Sequence, residues 1–224
     1  MDIDAMMPLA SSINLLAALF LLAVFAMLSQ RRLANLITIY AWQGTILTLS
    51  IALAAYATHS AHLYVSACLN GLLKIVVVPT LLRRLARRLE VQWDRESLVQ
   101  VSTVMLIGLG LVIFAFNAAL PIAAAGHDIN HAIIGIALAG ILLSLLMMIL
   151  RATALSQVIG FLAMENSLIF AATSVAYGMP MIIEFGIALD VIVGVFILGV
   201  FFFHIREQFD SLDIDRIERR EESR

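Results

Sequence analysis

Charged residues are scarce in this sequence. Asp, Glu, Lys and Arg together make up 13% of it, about half the share usual in soluble domains. Hydrophobic residues make up 62%, and the mean hydropathy is +1.00. A water-soluble globular domain does not fit this composition, which is typical of a chain that lies mostly in lipid.

Cysteine and motifs for covalent chemistry are also scarce. The single cysteine, Cys68, excludes an internal disulfide, and we expect it to be a small buried apolar residue. There is no nucleotide-binding loop, nucleophile elbow, CxxC pair or haem-ligand pair. We therefore expect no cofactor, no metal and no catalytic residue in this chain, and no nucleic-acid partner.

Long apolar runs dominate the sequence. A helix that crosses the hydrocarbon core needs about 20 mainly apolar residues, and its backbone hydrogen bonds are satisfied internally. The acidic residues 1–8 lack the basic start of a cleaved signal peptide, so the first run is counted as a retained helix. We predict an all-α membrane protein with one transmembrane domain, residues 1–205. Its seven spans are about 9–28, 36–57, 62–82, 98–120, 130–150, 154–177 and 181–204.

The distribution of cations predicts the orientation of these spans. Residues 58–61, 121–129 and 178–180 contain no Lys or Arg, and thirteen of the fourteen cations lie on the other side of a seven-span arrangement. The positive-inside rule assigns that side to the cytoplasm, with the amino terminus outside. The thirteen are Arg31, Arg32, Arg83, Arg84, Arg87, Arg88, Arg95, Arg151, Arg206, Arg216, Arg219, Arg220 and Arg224.

The charged tail, residues 206–224, leaves two alternatives open. Phe209, Leu212, Ile214 and Ile217 are spaced as in a short amphipathic helix, which would lie on the membrane surface or against a cytoplasmic partner. The tail could equally be a frayed, charged chain end.

Four Lys, Asp or Glu residues lie inside predicted spans: Lys74, Glu165, Glu184 and Asp190. Such a residue costs about 2.5–3.5 kcal/mol at mid-membrane on insertion scales, and it is a candidate functional residue for that reason. We predict that the four form a proton path, because burial favours the uncharged form of an amine or a carboxyl and so assists proton exchange. The alternatives are a structural ion pair and, for Glu184, a side chain that reaches the outer interface.

Neighbouring residues suggest where these groups point. Gly186, Asp190 and Gly194 share one helix face, whose small residues would let another helix approach Asp190 closely. Asn70 and Lys74 share a face by the same spacing. We predict an auxiliary polar path, whose members are Gln43, Asn70, Asn166 and His131.

Histidines occur near the outer ends of the spans. His127 lies four residues before His131, and His59 and His62 flank another outer connection. Metal binding is one interpretation of such histidine pairs. They lack the clustered ligands of a zinc site, so we expect interfacial histidines.

The chain contains a weak internal repeat. Residues 40–47 align with 162–169, and residues 72–77 align with 188–193. This alignment pairs Gln43 with Glu165 and Lys74 with Asp190. It predicts two three-helix units that run in the same direction, joined by the fourth span as a linking helix.

Several motifs carry a resemblance to a known family. They are the Glu165-Asn166 pair, the turn GMP at 178–180, the run E-x-G-x-x-L-D at 184–190 and the RRL-LIT-Y stretch that starts at Arg31. Over essentially its whole length the chain resembles the hydrogenase-4 component E family. That family is similar to the K subunit of respiratory complex I and to the C subunit of multisubunit cation/proton antiporters.

The resemblance implies a membrane subunit of a group-4 [NiFe] hydrogenase or formate hydrogenlyase-like complex in the bacterial cytoplasmic membrane. Its partners would be antiporter-like subunits and the membrane anchor of the hydrogenase arm, and partner subunits would carry iron–sulfur clusters and a NiFe site. Glu165 matches the second-helix glutamate of the K-like proteins, and Glu184 or Asp190 takes the place of the third-helix acid. Gln43 stands where an acid is expected, so the first unit is not a complete relay.

Three functions remain open at this point. The leading hypothesis is a non-catalytic subunit that contributes a proton or cation path to a redox complex. The second is a structural or assembly subunit without its own path. The third is an independent ion or proton transporter, which the lack of paired broken helices disfavours.

Overall fold

The computed structural model describes residues 3–88, 100–125, 131–175, 186, 188–195 and 199. Glu184, His127 and the tail 206–224 lie outside the described residues. Regular secondary structure is helical throughout the described chain, which confirms the predicted all-α fold class. Residues 188–195 are helical and are referred to as α7. The preceding helices are α1 (Ile3–Ser29), α2 (Leu33–Thr58), α3 (Ala61–Arg88), α4 (Val101–Ala125), α5 (His131–Leu150) and α6 (Ala154–Val175).

Six of the described helices, α1 to α6, are long and apolar enough to cross a membrane. The chain is therefore a multi-pass membrane protein. The helices alternate in direction, so α1, α3 and α5 finish at the end of the bundle where α2, α4 and α6 begin. This end carries Arg31, Arg32, Arg83, Arg84, Arg87, Arg88 and Arg151 and is called the arginine end. The end where α2 meets α3 is called the opposite end.

Helix α6 lies at the centre of the bundle and α4 at its periphery. In the most apolar stretch of α6, 61% of the residues are buried, against 22% in α4. Helix α6 packs against α5 and α2, and the rings of Phe20 in α1 and Phe170 in α6 stack with centroids 4.6 Å apart. Glu165, Asn166, Ser167 and Thr173 of α6 are consequently placed in the interior.

The packing brings together helices that the predicted repeat treats as counterparts. Helix α1 packs against α5, and α2 packs against α6, which are the counterparts that the repeat alignment assigns. Such contacts between counterparts are what a two-fold relation between the units would produce. The linking helix α4 packs outside them, against α1 and α5.

Helix α3 is not a regular α-helix along its length. It is α-helical over Ala61–Gly71 and Val78–Arg88, with a π-helical stretch at Leu72–Val77 between them. Pro79 is the second residue after the π-helical stretch. Its ring lacks a backbone N–H and crowds the carbonyl four residues earlier in an α-helix. The wider π turn makes room before the proline, and the helix continues to Arg88 without a break.

Arg151 holds the end of α1 in place, a structural role that its position in a short connection did not predict. Its side chain is buried, and Nη2 donates to the carbonyl oxygens of Met27 (3.1 Å), Leu28 (3.4 Å) and Gln30. These carbonyls belong to the last turn of α1 and the residue after it, where a cation also interacts favourably with the helix dipole. Gln157 Nε2 donates to the Arg151 carbonyl at 2.9 Å. Arg151 therefore fastens the end of α1 to the α5–α6 connection.

Two local expectations need correction. Cys68 is exposed on the bundle surface rather than buried, because it lies on the face of α3 away from α2. Gly186 does allow close helix approach, but a Cβ placed on Gly194 would meet no described atom within 4 Å. The predicted small-residue face therefore makes its close contact at Gly186.

Replacing Arg151 by alanine should lower the melting temperature of the detergent-solubilised protein by several degrees. The variant loses hydrogen bonds from a charged donor, each worth about 1.5–3 kcal/mol. Arg84→Ala, at an exposed position of the same end, is the matched control and should change little. Equal melting temperatures for the two variants would contradict the fastening role.

Candidate functional site: a buried ion cluster

The position of Lys74 is set by the backbone around it. It lies in the π-helical stretch of α3 and is fully buried. Gly44 of α2 faces it: a Cβ at Gly44 would lie 3.0 Å from the Lys74 Cβ and 3.3 Å from its carbonyl oxygen. A side-chain carbon at position 44 would come closer to these atoms than such carbons usually do, so Lys74 would have to shift by a few tenths of an ångström. Glycine at position 44 therefore lets α2 and α3 meet at the level of the lysine.

Lys74 contacts two carboxylates from two other helices. Its Nζ lies 3.1 Å from Oε1 of Glu165 in α6, and 3.1 Å and 3.0 Å from Oδ1 and Oδ2 of Asp190 in α7. The side chains of Lys74 and Asp190 are fully buried, and that of Glu165 is 6% exposed. The structure thus brings three of the four predicted ionisable residues into one ion cluster.

A second glycine, Gly186, lies against α6 at the cluster, two residues before the start of α7. A Cβ at Gly186 would lie 3.0 Å from Oε1 of Glu165 and would also collide with the Ile169 side chain. Gly186 lies four residues before Asp190 in the sequence. The close approach of the backbone at Gly186 places the Asp190 carboxylate next to Lys74.

The charges of the cluster do not balance. With all three groups ionised, one ammonium faces two carboxylates, and the net charge is −1. One added proton would make the cluster neutral. Isolated charge is costly away from water, and two carboxylates that share a site oppose each other's ionisation. The arrangement is therefore able to hold or release one proton while Lys74 stays paired.

Amide side chains flank the cluster between α2 and α6. Gln43, fully buried, donates through Nε2 to the Ala163 carbonyl at 3.3 Å and accepts from Asn166 Nδ2 at 3.2 Å. The Tyr40 side chain is fully buried one turn before Gln43. These residues are buried polar side chains that lie between α2 and α6 on the α2 side of the carboxylates.

A second polar branch leads from Lys74 along α3. Asn70, four residues before Lys74, is fully buried and donates through Nδ2 to Thr48 Oγ1 at 3.2 Å. The Thr48 hydroxyl donates to the Gly44 carbonyl at 2.8 Å. The chain of contacts ends at the glycine that packs on Lys74, so Asn70 and Thr48 extend the polar environment toward the opposite end.

Several buried oxygens in this region retain unused hydrogen-bonding capacity. Most buried polar atoms in proteins are hydrogen-bonded. Among the described residues, no hydrogen-bond partner is present for Tyr40 Oη, Asn70 Oδ1, Asn166 Oδ1 or Glu165 Oε2. Atoms of this kind can accept hydrogen bonds from water, which a proton path requires.

One predicted residue of the auxiliary path lies away from the cluster. His131 is the first residue of α5 and is exposed, at the helix end rather than beside the cluster. Glu184 lies outside the described residues. No group of three or more potential His, Cys, Asp or Glu metal ligands occurs in the described part of the chain.

Two residues of the site were missed by sequence reasoning. Tyr40 and Thr48 are common residue types in apolar helices, and nothing in their own identity marks them. The available signal was spacing, because Tyr40 lies one helical turn before Gln43 and Thr48 one turn after Gly44.

Comparisons with known proteins leave the family open. No family model matches the chain, and no solved structure matches it. A curated Mycobacterium tuberculosis protein, named Uncharacterized protein Rv0085, is 29% identical over 189 residues, which cover 84% of this chain and 86% of that protein. The likeness extends over most of both chains, but the name carries no activity.

The contact between Gly44 and Lys74 predicts that adding one methyl group at position 44 will destabilise the protein. Gly44→Ala should lower the melting temperature by several degrees and reduce the yield of folded protein, because the new Cβ would crowd the Lys74 backbone. Gly110→Ala in α4 is the control, since a Cβ there meets no described atom within 4 Å. It should be neutral or slightly stabilising, as alanine favours helix. An unchanged Gly44→Ala protein would contradict the contact.

Proposed function

We propose that this chain is a non-catalytic membrane subunit that carries a proton-loading site for a redox-linked complex. The observation that supports this most directly is the buried cluster of Lys74, Glu165 and Asp190. Ionisable residues inside a membrane protein are rare and expensive, and those that face the bundle interior commonly belong to ion or proton pathways. A path for another small cation would use the same carboxylates.

The depth of the cluster supports the same function. Lys74 lies near the middle of the 28-residue helix α3, and Glu165 near the middle of the 22-residue helix α6. A helix of about 20 residues spans the hydrocarbon core. The cluster therefore lies close to the membrane midplane, where a proton taken from one side can be passed toward the other.

The proposed parent complex is a group-4 hydrogenase-like, complex I-related assembly. This part rests on the resemblance of the Glu165-Asn166 pair and the 178–190 region to the hydrogenase-4 component E family. In this proposal antiporter-like subunits and the membrane anchor of the hydrogenase arm are the partners. Iron–sulfur clusters and any NiFe site belong to those partners, and this chain binds none.

The proposed location is the bacterial cytoplasmic membrane, with the arginine end facing the cytoplasm. The support is the positive-inside rule applied to thirteen arginines on one side of the chain. With seven spans, the amino terminus is outside and the tail is cytoplasmic.

Lys74 is the residue that couples protonation to a partner's charge in this mechanism. Its ammonium contacts Glu165 and Asp190 at once, so a shift toward one carboxylate weakens its pairing with the other. The less strongly paired carboxylate then takes up a proton, and it releases the proton when the ammonium returns. A charge change in a neighbouring subunit would bias that movement.

A scaffold function is the second candidate, and one observation favours it. Lys74 is fully paired, and glycine contacts at positions 44 and 186 fit the cluster closely. Buried polar groups in some proteins serve to specify packing rather than to stabilise it. Substitutions that remove charge while preserving shape distinguish the two functions.

Glu165→Gln should abolish most proton translocation while leaving the complex assembled. The amide keeps the size of the carboxyl but cannot exchange a proton. The measurement is proton uptake by vesicles that contain the complex, purified intact through a tag on this chain. Ser167→Ala is the control, because the Ser167 hydroxyl donates only to the Ala163 carbonyl of its own helix. Wild-type translocation by an assembled Glu165→Gln complex would reject the proton-loading function.

Removing Lys74 alone should be worse for stability than neutralising the whole cluster. Lys74→Met leaves two buried carboxylates without their cation, and breaking a buried pair in this way typically costs about 3–5 kcal/mol. Combining Lys74→Met with Glu165→Gln and Asp190→Asn removes the charges together and should restore folded yield. Size-exclusion profiles and melting temperatures report folding, and vesicle assays report transport. Full transport by the triple variant would assign the cluster to packing alone.

A further inference from the structure

We infer that the ion cluster communicates with water through the opposite half of the bundle and is closed toward the arginine end. This inference rests on the proposed proton-loading function and adds the direction from which the proton arrives. It makes Asn70 a positioning residue of the access route. The observations that carry it concern the buried side chains on either side of the cluster.

On the opposite side, α3 presents a buried polar face. Ser66, Asn70 and Lys74 follow one another at four-residue spacing, and their exposures are 5%, 0% and 0%. Asn70 Oδ1 has no hydrogen-bond partner among the described residues, while its Nδ2 is held by Thr48. The amide is thus fixed through its nitrogen, with its oxygen available to a water molecule one turn away from the lysine.

Helix α6 continues the polar character in the same direction. Thr173 is buried two turns beyond Glu165, and its hydroxyl donates to the Ile169 carbonyl at 2.8 Å. That hydroxyl oxygen can still accept a hydrogen bond. Two helices that border the cluster therefore carry buried polar groups along the opposite half.

On the arginine side, the same helices present apolar side chains. The described buried residues of α2, α3 and α6 between the cluster and the arginine end are almost all aliphatic. Ser156 is an exception, but it lies in the first turn of α6, where its hydroxyl accepts from Thr153 at 2.8 Å. The aliphatic set includes Leu36, Ile37, Val78, Leu82, Ile159 and Leu162, each at most 1% exposed.

Tyr40 marks the boundary between the two halves. Its fully buried side chain lies one turn on the arginine side of Gln43. Close-packed aliphatic groups offer a proton neither donors nor room for water. In this conformation a proton enters and leaves by the opposite half, and transfer to the arginine end requires this packing to open. In the proposed orientation the open half faces the outside of the cell.

Cysteine accessibility tests the direction of access directly. Cys68 is the chain's single cysteine and is exposed, so Cys68→Ala provides a cysteine-free background with little packing cost. Single cysteines are introduced by Ser66→Cys, Asn70→Cys, Val78→Cys and Leu82→Cys. The probe is a membrane-impermeant cationic methanethiosulfonate, added to right-side-out and to inside-out vesicles that contain the assembled protein.

Arg84→Cys identifies the vesicle face that carries the arginine end, because Arg84 is exposed there. We expect Ser66→Cys and Asn70→Cys to react at least several-fold faster from the face opposite to the one that labels Arg84→Cys. Val78→Cys and Leu82→Cys should remain unlabelled from both faces. Labelling is read by the mass of the purified chain, and only variants with a wild-type elution profile are scored.

Two results would overturn the inference. One is reaction of Val78→Cys or Leu82→Cys from the arginine face, which would show an open route on that side. The other is failure of Ser66→Cys to react from either face; this serine-to-cysteine change is conservative and keeps the test available if Asn70→Cys does not fold. Neither result depends on transport. The proposed function is tested separately, by the loss of proton uptake expected for Glu165→Gln.

Discussion

The structure depends on the ion pairs of a lysine that has no contact with solvent. Lys74 can remain charged inside the bundle only because Glu165 and Asp190 lie about 3 Å from its ammonium. Each of the three residues comes from a different helix, so the requirement for pairing fixes how α3, α6 and α7 sit together. The cluster is at once a packing constraint and a site able to exchange a proton.

Backbone features make these contacts possible. Gly44 lets α2 approach the Lys74 backbone, and Gly186 lets α7 approach Glu165. The π-helical stretch at Leu72–Val77 places Lys74 in a widened turn, a feature that is often found at functional sites. Small residues and local departures from α-helical geometry therefore accompany the charged residues, as expected where helices pack without help from the hydrophobic effect.

The predicted internal repeat offers a physical interpretation of the site. Its alignment pairs Lys74 with Asp190, and in the structure these two side chains contact each other. Identical ionisable residues at these positions would repel one another, whereas the amine and the carboxylate attract. The second matched pair differs in a similar way: Gln43 is neutral and Glu165 is ionisable, so only one carboxylate is added at that level. The cluster consequently contains one cation and two acids.

Much of the molecule follows from the sequence because lipid imposes strict rules on it. Hydrophobic runs of about 20 residues are helices that cross a membrane, and Lys74, Glu165 and Asp190 are conspicuous because charge is costly there. Sequence spacing could not reveal which charges meet, that Arg151 is buried against α1, that Cys68 is exposed, or that Tyr40 and Thr48 border the site. Those features depend on the rotation of each helix about its axis and on which helices are neighbours. Only packing between distant segments decides these, through contacts such as Gly44 with Lys74.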